Sequence, residues 1–134
     1  MIVDSSAVVA ILLNEEDGDV LSRALDGYEI VRMSAASYFE TSIVIDHYRD
    51  AVLSARLDDT ILESEIVIEP VTVEQVRIAR QAYRDYGKGS GHPAQLNFGD
   101  CFSYALAREK REPILFKGDD FRHTDLRSAL KELA

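Results

Sequence analysis

The chain has 134 residues, 46% of them hydrophobic, and 15 Lys and Arg against 24 Asp and Glu give a formal charge of −9. That length predicts one globular domain over residues 1–134 with a core of its own, and the charge argues against a general electrostatic nucleic-acid binder. The single cysteine, Cys101, excludes an internal disulfide. It falls on an apolar helix face, as a buried thiol in a reducing compartment would. Met1 runs directly into Ile2-Val3 with no basic segment ahead of it, and no apolar run approaches the roughly 20 residues of a membrane span. A cytoplasmic protein with no membrane partner is expected. The charge is uneven: residues 1–76 hold 4 basic and 16 acidic residues, residues 77–134 hold 11 and 8. A polyanion would be met by the second half, and a basic partner or a metal by the first.

In chain order, Met1-Ile2-Val3 is a strand ending in Asp4, and Ser5-Ser6 can cap a helix carrying Val8, Val9, Ile11, Leu12 and Leu13. Glu15, Glu16, Asp17 and Asp19 form an acidic turn before a helix with Val20, Leu21, Ala24 and Leu25 inward; as first-turn acids they carry no assigned chemistry. Glu29 to Met33 reads as the second strand and Ser34 as the next cap. On the helix that follows, Ala36, Phe39, Glu40, Ile43, Val44 and His47 share one face, which sets Glu40 into an apolar stripe. An ionised carboxylate there needs an arginine, water or a cation, while His47 reads as a hydrogen-bonded histidine at the core edge. Asp50 to Ser64 is a helix with Val52, Leu53, Leu57, Ile61 and Leu62 as its apolar positions. Glu65 to Pro70 is a strand stopped by proline.

Thr72 or Val73 opens a helix to about Tyr86, with Arg77, Arg80 and Arg84 in a row that leads into the loop Gly87-Lys88-Gly89-Ser90-Gly91-His92-Pro93. Arginine beside tyrosine can grip phosphate and stack bases. Asn97 caps a helix on which Phe98, Cys101, Phe102, Ala105 and Leu106 share the spacing of one buried face, with Asp100 pointing the other way. Asp100 is open to two readings, a dipole-compensating cap or a functional acid. Pro113 to Phe116 is a buried strand followed by Lys117-Gly118-Asp119-Asp120-Phe121. A short strand or turn near Thr124-Asp125-Leu126 and a last helix close the chain.

Short apolar strands alternating with helices predict an α/β fold, three layers of α/β/α with a short central parallel sheet. Ligands in such sheets bind beyond the C-terminal strand ends. Asp4 and Asp119 lie at two such ends, and Glu40 and Asp100 lie in early turns of helices that start there, so the four are expected to converge. Four carboxylates side by side repel strongly, which implies a divalent cation. Oxygen ligands without His or Cys point to Mg²⁺ or Mn²⁺.

Ile2-Val3-Asp4-Ser5-Ser6, Glu40 after the second strand, Asn97-Phe98-Gly99-Asp100 opening a later helix, and Leu115 through Phe121 together resemble PIN-domain proteins, most of all the VapC toxins of bacterial toxin–antitoxin pairs. The resemblance runs over nearly the whole chain. It implies a Mg²⁺-dependent endoribonuclease, commonly a homodimer, inhibited by a VapB-like antitoxin. Carried across, Asp4 and Asp100 are the principal metal ligands and Glu40 completes the cluster. Ser6 matches a small hydroxyl residue that orients the first acid. The family's Thr-x-Asp/Asn is here Lys117-Gly118-Asp119, so Asp119 is preferred as the fourth acid, with Asp120 beside it open.

A cation there would activate water for in-line attack on a phosphate. RNA would be guided by Arg77, Arg80, Arg84, Lys88 and Lys117, and an acidic domain would select a structured target by shape and loop sequence. A phospho-acceptor receiver domain would need an Asp at a central strand end, where Glu69-Pro70 stands. An Asp-x-Asp phosphatase fails at Ser6. A catalytically silent binding module of the same fold is the remaining alternative.

Overall fold

Two-residue strands are enough to build a two-faced sheet here, because successive strand side chains point to opposite faces. The structure is a computed structural model and describes residues 1–134. Strands β1 (Ile2–Val3), β2 (Arg32–Ser34), β3 (Val67–Glu69) and β4 (Ile114–Leu115) form one parallel sheet in the order β3-β2-β1-β4. Val3, Met33 and Leu115 face one core with residues of α1 (Ser5–Leu12), α2 (Gly18–Asp26), α3 (Ala35–Asp46) and α4 (Ala51–Glu63). Ile2 and Ile114 face a second core with α5 (Val73–Tyr86) and α6 (Phe98–Lys110). The short helix α7 (Ala129–Leu133) closes the first core through Ala129. The result is a parallel four-stranded sheet flanked by helices, as expected, and no helix is long and apolar enough to cross a membrane.

Strand passes into helix without a loop at two places. Asp4 follows β1 and caps α1, its side chain accepting from the Ser6 backbone; Ser34 ends β2 and caps α3, accepting from the Ala36 backbone. Asp50, Thr72, Asn97 and Ser128 cap α4, α5, α6 and α7. Since a strand's C-terminus feeds the N-termini of α1 and α3, both helices begin at one edge of the sheet.

The expected inward faces of two helices are overturned. The face of α3 that enters the core is not the apolar stripe but Ser37, Thr41 and Ile45; Phe39 is 68% exposed, and Ile43, Val44 and His47 are exposed as well. Small hydroxyl residues win because they let α3 come close and can satisfy themselves: Thr41 Oγ1 donates to the Ser37 carbonyl at 2.8 Å, and Ser37 meets Ser103. Likewise Phe98 is 80% exposed rather than buried, stacked edge-on against Phe102, while Cys101, Tyr104, Ala105 and Leu106 carry the buried face of α6. The second strand also begins later than expected, at Arg32. Of the strand or turn expected near residues 124–126 the chain takes the turn, directly after a 3₁₀ turn at Asp120–His123.

At the opposite edge, Arg32 bridges Glu69 at 2.9 Å and Glu112 at 3.3 Å, and the Met1 ammonium lies 3.6 Å from Glu112. Arg32 sits in the middle of the sheet's N-terminal rim and is about three-quarters buried. Replacing it by Ala leaves two half-buried acids facing one ammonium. The expected loss is about 1–3 kcal/mol of stability, measured by urea unfolding at pH 7.

Candidate active site

Asp4 is fixed by its neighbours on both sides. Its carboxylate is 2% exposed, Oδ2 accepting from the Ser6 backbone at 3.0 Å and Oδ1 from Ser103 Oγ at 2.6 Å. Ser6 turns its own hydroxyl to the Lys117 backbone, accepting at 3.0 Å, and so ties the end of β1 to the loop after β4. Ser5 donates to Glu40 Oε1 at 2.6 Å. Glu40 is half-buried and lies over the start of α6, its Oε2 against the place a Cβ on Gly99 would take. A side chain at position 99 would displace the carboxylate end of Glu40 from this place. Asp100 sits one residue on in a capping box, exchanging bonds with Asn97 at 2.9 and 3.0 Å.

The acids act on each other. Burial raises the Asp100 carboxyl from 3.8 to about 7; the Asn97 backbone bond opposes this, and Asp4 and Asp120 repel its charge while Asp120 also hydrogen-bonds to it. Cys101, beside it, is raised to about 11 by burial and then by Asp100, an inert core thiol as the sequence suggests.

The fourth acid is where the structure departs from expectation. Asp119 is 75% exposed and pairs with Arg122 at 3.4 Å, whereas Asp120 is the acid that adjoins Asp100. The four expected residues do not converge on one point; Asp4, Glu40 and Asp100 gather with Asp120. Of the five expected RNA contacts, Arg77 is paired with Glu74 at 3.4 Å and Lys117 with Glu15 at 2.9 Å. Arg80 and Lys88 line an apolar cleft of about 560 Å³ with Val76, Tyr83, Phe98 and Phe102, and Arg84 is exposed on the same helix. Sequence reasoning missed Ser5, Ser37 and Ser103. The only signal for the last two is their spacing, three residues from Glu40 and from Asp100.

The donor set suits a hard divalent cation: carboxylate oxygens without His or thiolate, one carboxyl raised to about 7 by burial and then by the neighbouring acids. As the side chains stand, no three acids close around a point. Mg²⁺ is ordinarily held by one or two carboxylates with water and phosphate rather than by an all-protein cage, so an open cluster fits it.

A family model for the PIN domain matches residues 1–126. The chain is 57% identical over 130 residues to ribonuclease VapC28 of Mycobacterium tuberculosis, an alignment covering 97% of this chain and 98% of that one. It is 52% identical over 130 residues to ribonuclease VapC42 of the same species, covering 96% and 98%. Its fold is similar to the crystal structure of Mycobacterium tuberculosis VapC20, described as a Sarcin-Ricin loop cleaving toxin. There the TM-score is 0.72 at 17% identity, over 93% of this chain and 95% of that one. Strand-end acids on a parallel sheet and a family match through residue 126 agree, and the chain belongs to the PIN-domain family, among the VapC ribonucleases.

Proposed function

We propose that this chain is a Mg²⁺- or Mn²⁺-dependent endoribonuclease, the toxin of a cytoplasmic toxin–antitoxin pair folded as one domain over residues 1–134. The observation that carries the reading is the gathering of Asp4, Glu40, Asp100 and Asp120 at the C-terminal edge of the sheet. Identity of 57% to a VapC ribonuclease supports the same reading.

Asp4 and Asp100 would hold the cation, with Glu40 and Asp120 completing its surroundings. When bound, it supplies a water of lowered pKa and neutralises charge on the phosphate. Asp4 enters with both oxygens already oriented by Ser6 and Ser103. Ser5 holds Glu40 Oε1, which leaves Oε2 to accept a proton from the attacking water. Asp120, the acid that adjoins Asp100, would take the fourth place rather than Asp119, which pairs with Arg122. RNA phosphates would be met by Arg80, Arg84 and Lys88, with Tyr83, Phe98 and Phe102 as apolar neighbours, while Arg77 and Lys117 are held by acids. Exposed Val52 and Leu62 on α4, and Phe39 and Ile43 on α3, supply apolar surface for a VapB-like antitoxin and for a second copy of the chain.

Purified protein should cut RNA with Mg²⁺ and not with EDTA, and Asp100→Asn should lower the rate by about a hundredfold or more. Cutting that persists in the variant at the wild-type rate would defeat the reading. The same variant separates charge from fold. The folded carboxyl binds its proton more tightly than the unfolded one, so its stability cost appears as pH rises from about 4 and is complete above about 7. In EDTA at pH 8, Asp100→Asn should be more stable than wild type by about 1–2 kcal/mol after allowance for screening, and at pH 4 the difference should vanish. Asp120→Asn should lose at least about tenfold in rate while Asp119→Asn stays near wild type; the reverse order would return the fourth place to Asp119. Arg80→Ala with Lys88→Ala should weaken RNA binding and reduce the slope of log affinity against log salt by about 1–2, read by fluorescence anisotropy.

A further inference from the structure

Beneath the acids lies a pair of hydroxyls that the reaction as described does not use. Ser37 stands one turn before Glu40 on α3, and Ser103 stands one turn after Asp100 on α6. Each helix that brings an acid to the site therefore carries a buried serine three residues away, toward the helix start on α3 and away from it on α6. The two hydroxyls meet at 3.0 Å, and Ser103 Oγ reaches Asp4 Oδ1 at 2.6 Å. Ser37, Ser103 and Asp4 are all sealed from solvent, at 1%, 0% and 2% exposure.

Hydrogen-bond arithmetic sets the direction of this chain. An ionised carboxylate only accepts, so the one proton of Ser103 goes to Asp4, and the proton of Ser37 is the one left to bridge the two hydroxyls. A separation of 2.6 Å lies within the range of about 2.5–2.7 Å for a hydroxyl donating to a carboxylate. With Ser6 N–H on Oδ2, Asp4 is gripped by donors from two different helices, and its unused lone pairs are left for the acid cluster. Packing alone does not ask for this. Close approach of α3 to α6 needs a small residue at position 103, and Ala would serve; a buried hydroxyl is a cost unless its bonds are made.

We propose that Ser103, directed by Ser37, is a positioning residue that sets the rotation of the Asp4 carboxylate toward a divalent cation. The inference rests on the reading of the acid cluster as a metal-dependent ribonuclease site. The hydroxyl pair also couples α3 to α6, so Glu40 and Asp100 are held at fixed height relative to Asp4.

The test is Mn²⁺ titration calorimetry on the full chain, paired with the side-chain carboxyl ¹³C signal of Asp4 in metal-free protein. Ser103→Ala should lower Mn²⁺ affinity by about 10–100-fold and move the Asp4 signal. Its kcat should fall while KM for RNA holds. Ser37→Ala, which leaves the Ser103 donor without its director, should show the same changes in smaller measure. Ser42→Ala is the control, since Ser42 bonds only the Tyr38 carbonyl on its own helix at 2.8 Å. Mn²⁺ affinity and Asp4 signal in Ser103→Ala no different from Ser42→Ala would overturn the proposal. If Ser103→Ala does not fold, unchanged affinity and signal in Ser37→Ala overturn it instead. A wild-type protein that binds no Mn²⁺ defeats the metal reading itself, and the metal-free Asp4 signal then still decides whether the serines orient the carboxylate.

Discussion

Repulsion among carboxylates at one edge of a small sheet is the constraint on which the rest of this structure depends. Burial, and with it the charges of Asp4 and Asp120, raises the Asp100 carboxyl to about 7. What keeps such a group together is a set of donors from the first turn of α1 and from α6 with its cap. Ser6 and Ser103 hold Asp4, Ser5 holds Glu40, and Asn97 holds Asp100. No lysine or arginine side chain neutralises the group from within. Lys117, the nearest candidate in sequence, is drawn off by Glu15. The site is left electrostatically unfinished, which is the condition a cation relieves.

The remainder of the fold supplies the stability this arrangement lacks. Two apolar cores, one on each face of the sheet, use both sides of strands only two or three residues long: Ile2 and Ile114 serve one core, Val3 and Leu115 the other. Charge at the opposite rim is balanced instead of crowded, with Arg32 between Glu69 and Glu112. One edge of the sheet is compensated and the other is not. Direct passage from strand to capped helix at Asp4 and Ser34 keeps the uncompensated edge narrow.

Much of this is legible in the sequence. Alternating short apolar runs and capped helices give the layered parallel sheet, and the caps Asp50, Thr72 and Asn97 fall where side-chain chemistry puts them. Asp4 and Asp100 are legible as acids at a strand end and in a helix's first turn. The inward face of α3 is not, because hydrophobic periodicity scores Phe39 and Ile43 above Ser37 and Thr41, and only a partner helix at close range reverses that order. Phe98 misleads for a related reason: at the first position of α6 it lies past the end of the core that Cys101 and Tyr104 enter. Asp119 and Asp120 are adjacent and alike in type, and the 3₁₀ turn that sends one to Arg122 and the other to Asp100 has no local sequence signal. Spacing cannot reveal that Lys117 pairs with Glu15, a contact across 102 positions of chain.

Gly99 carries a last consequence. The carboxylate of Glu40 rests where a side chain at position 99 would be, so keeping it there goes with one of the poorest helix formers as the second residue of α6, at a local cost of about 1 kcal/mol. The capping box of Asn97 and Asp100 returns about as much. Asp100 is therefore at once part of the clasp that starts its helix and a member of the acid cluster. Whatever draws its carboxylate away from the Asn97 backbone loosens the first turn of α6, so engagement at the site and fraying of that turn are one equilibrium.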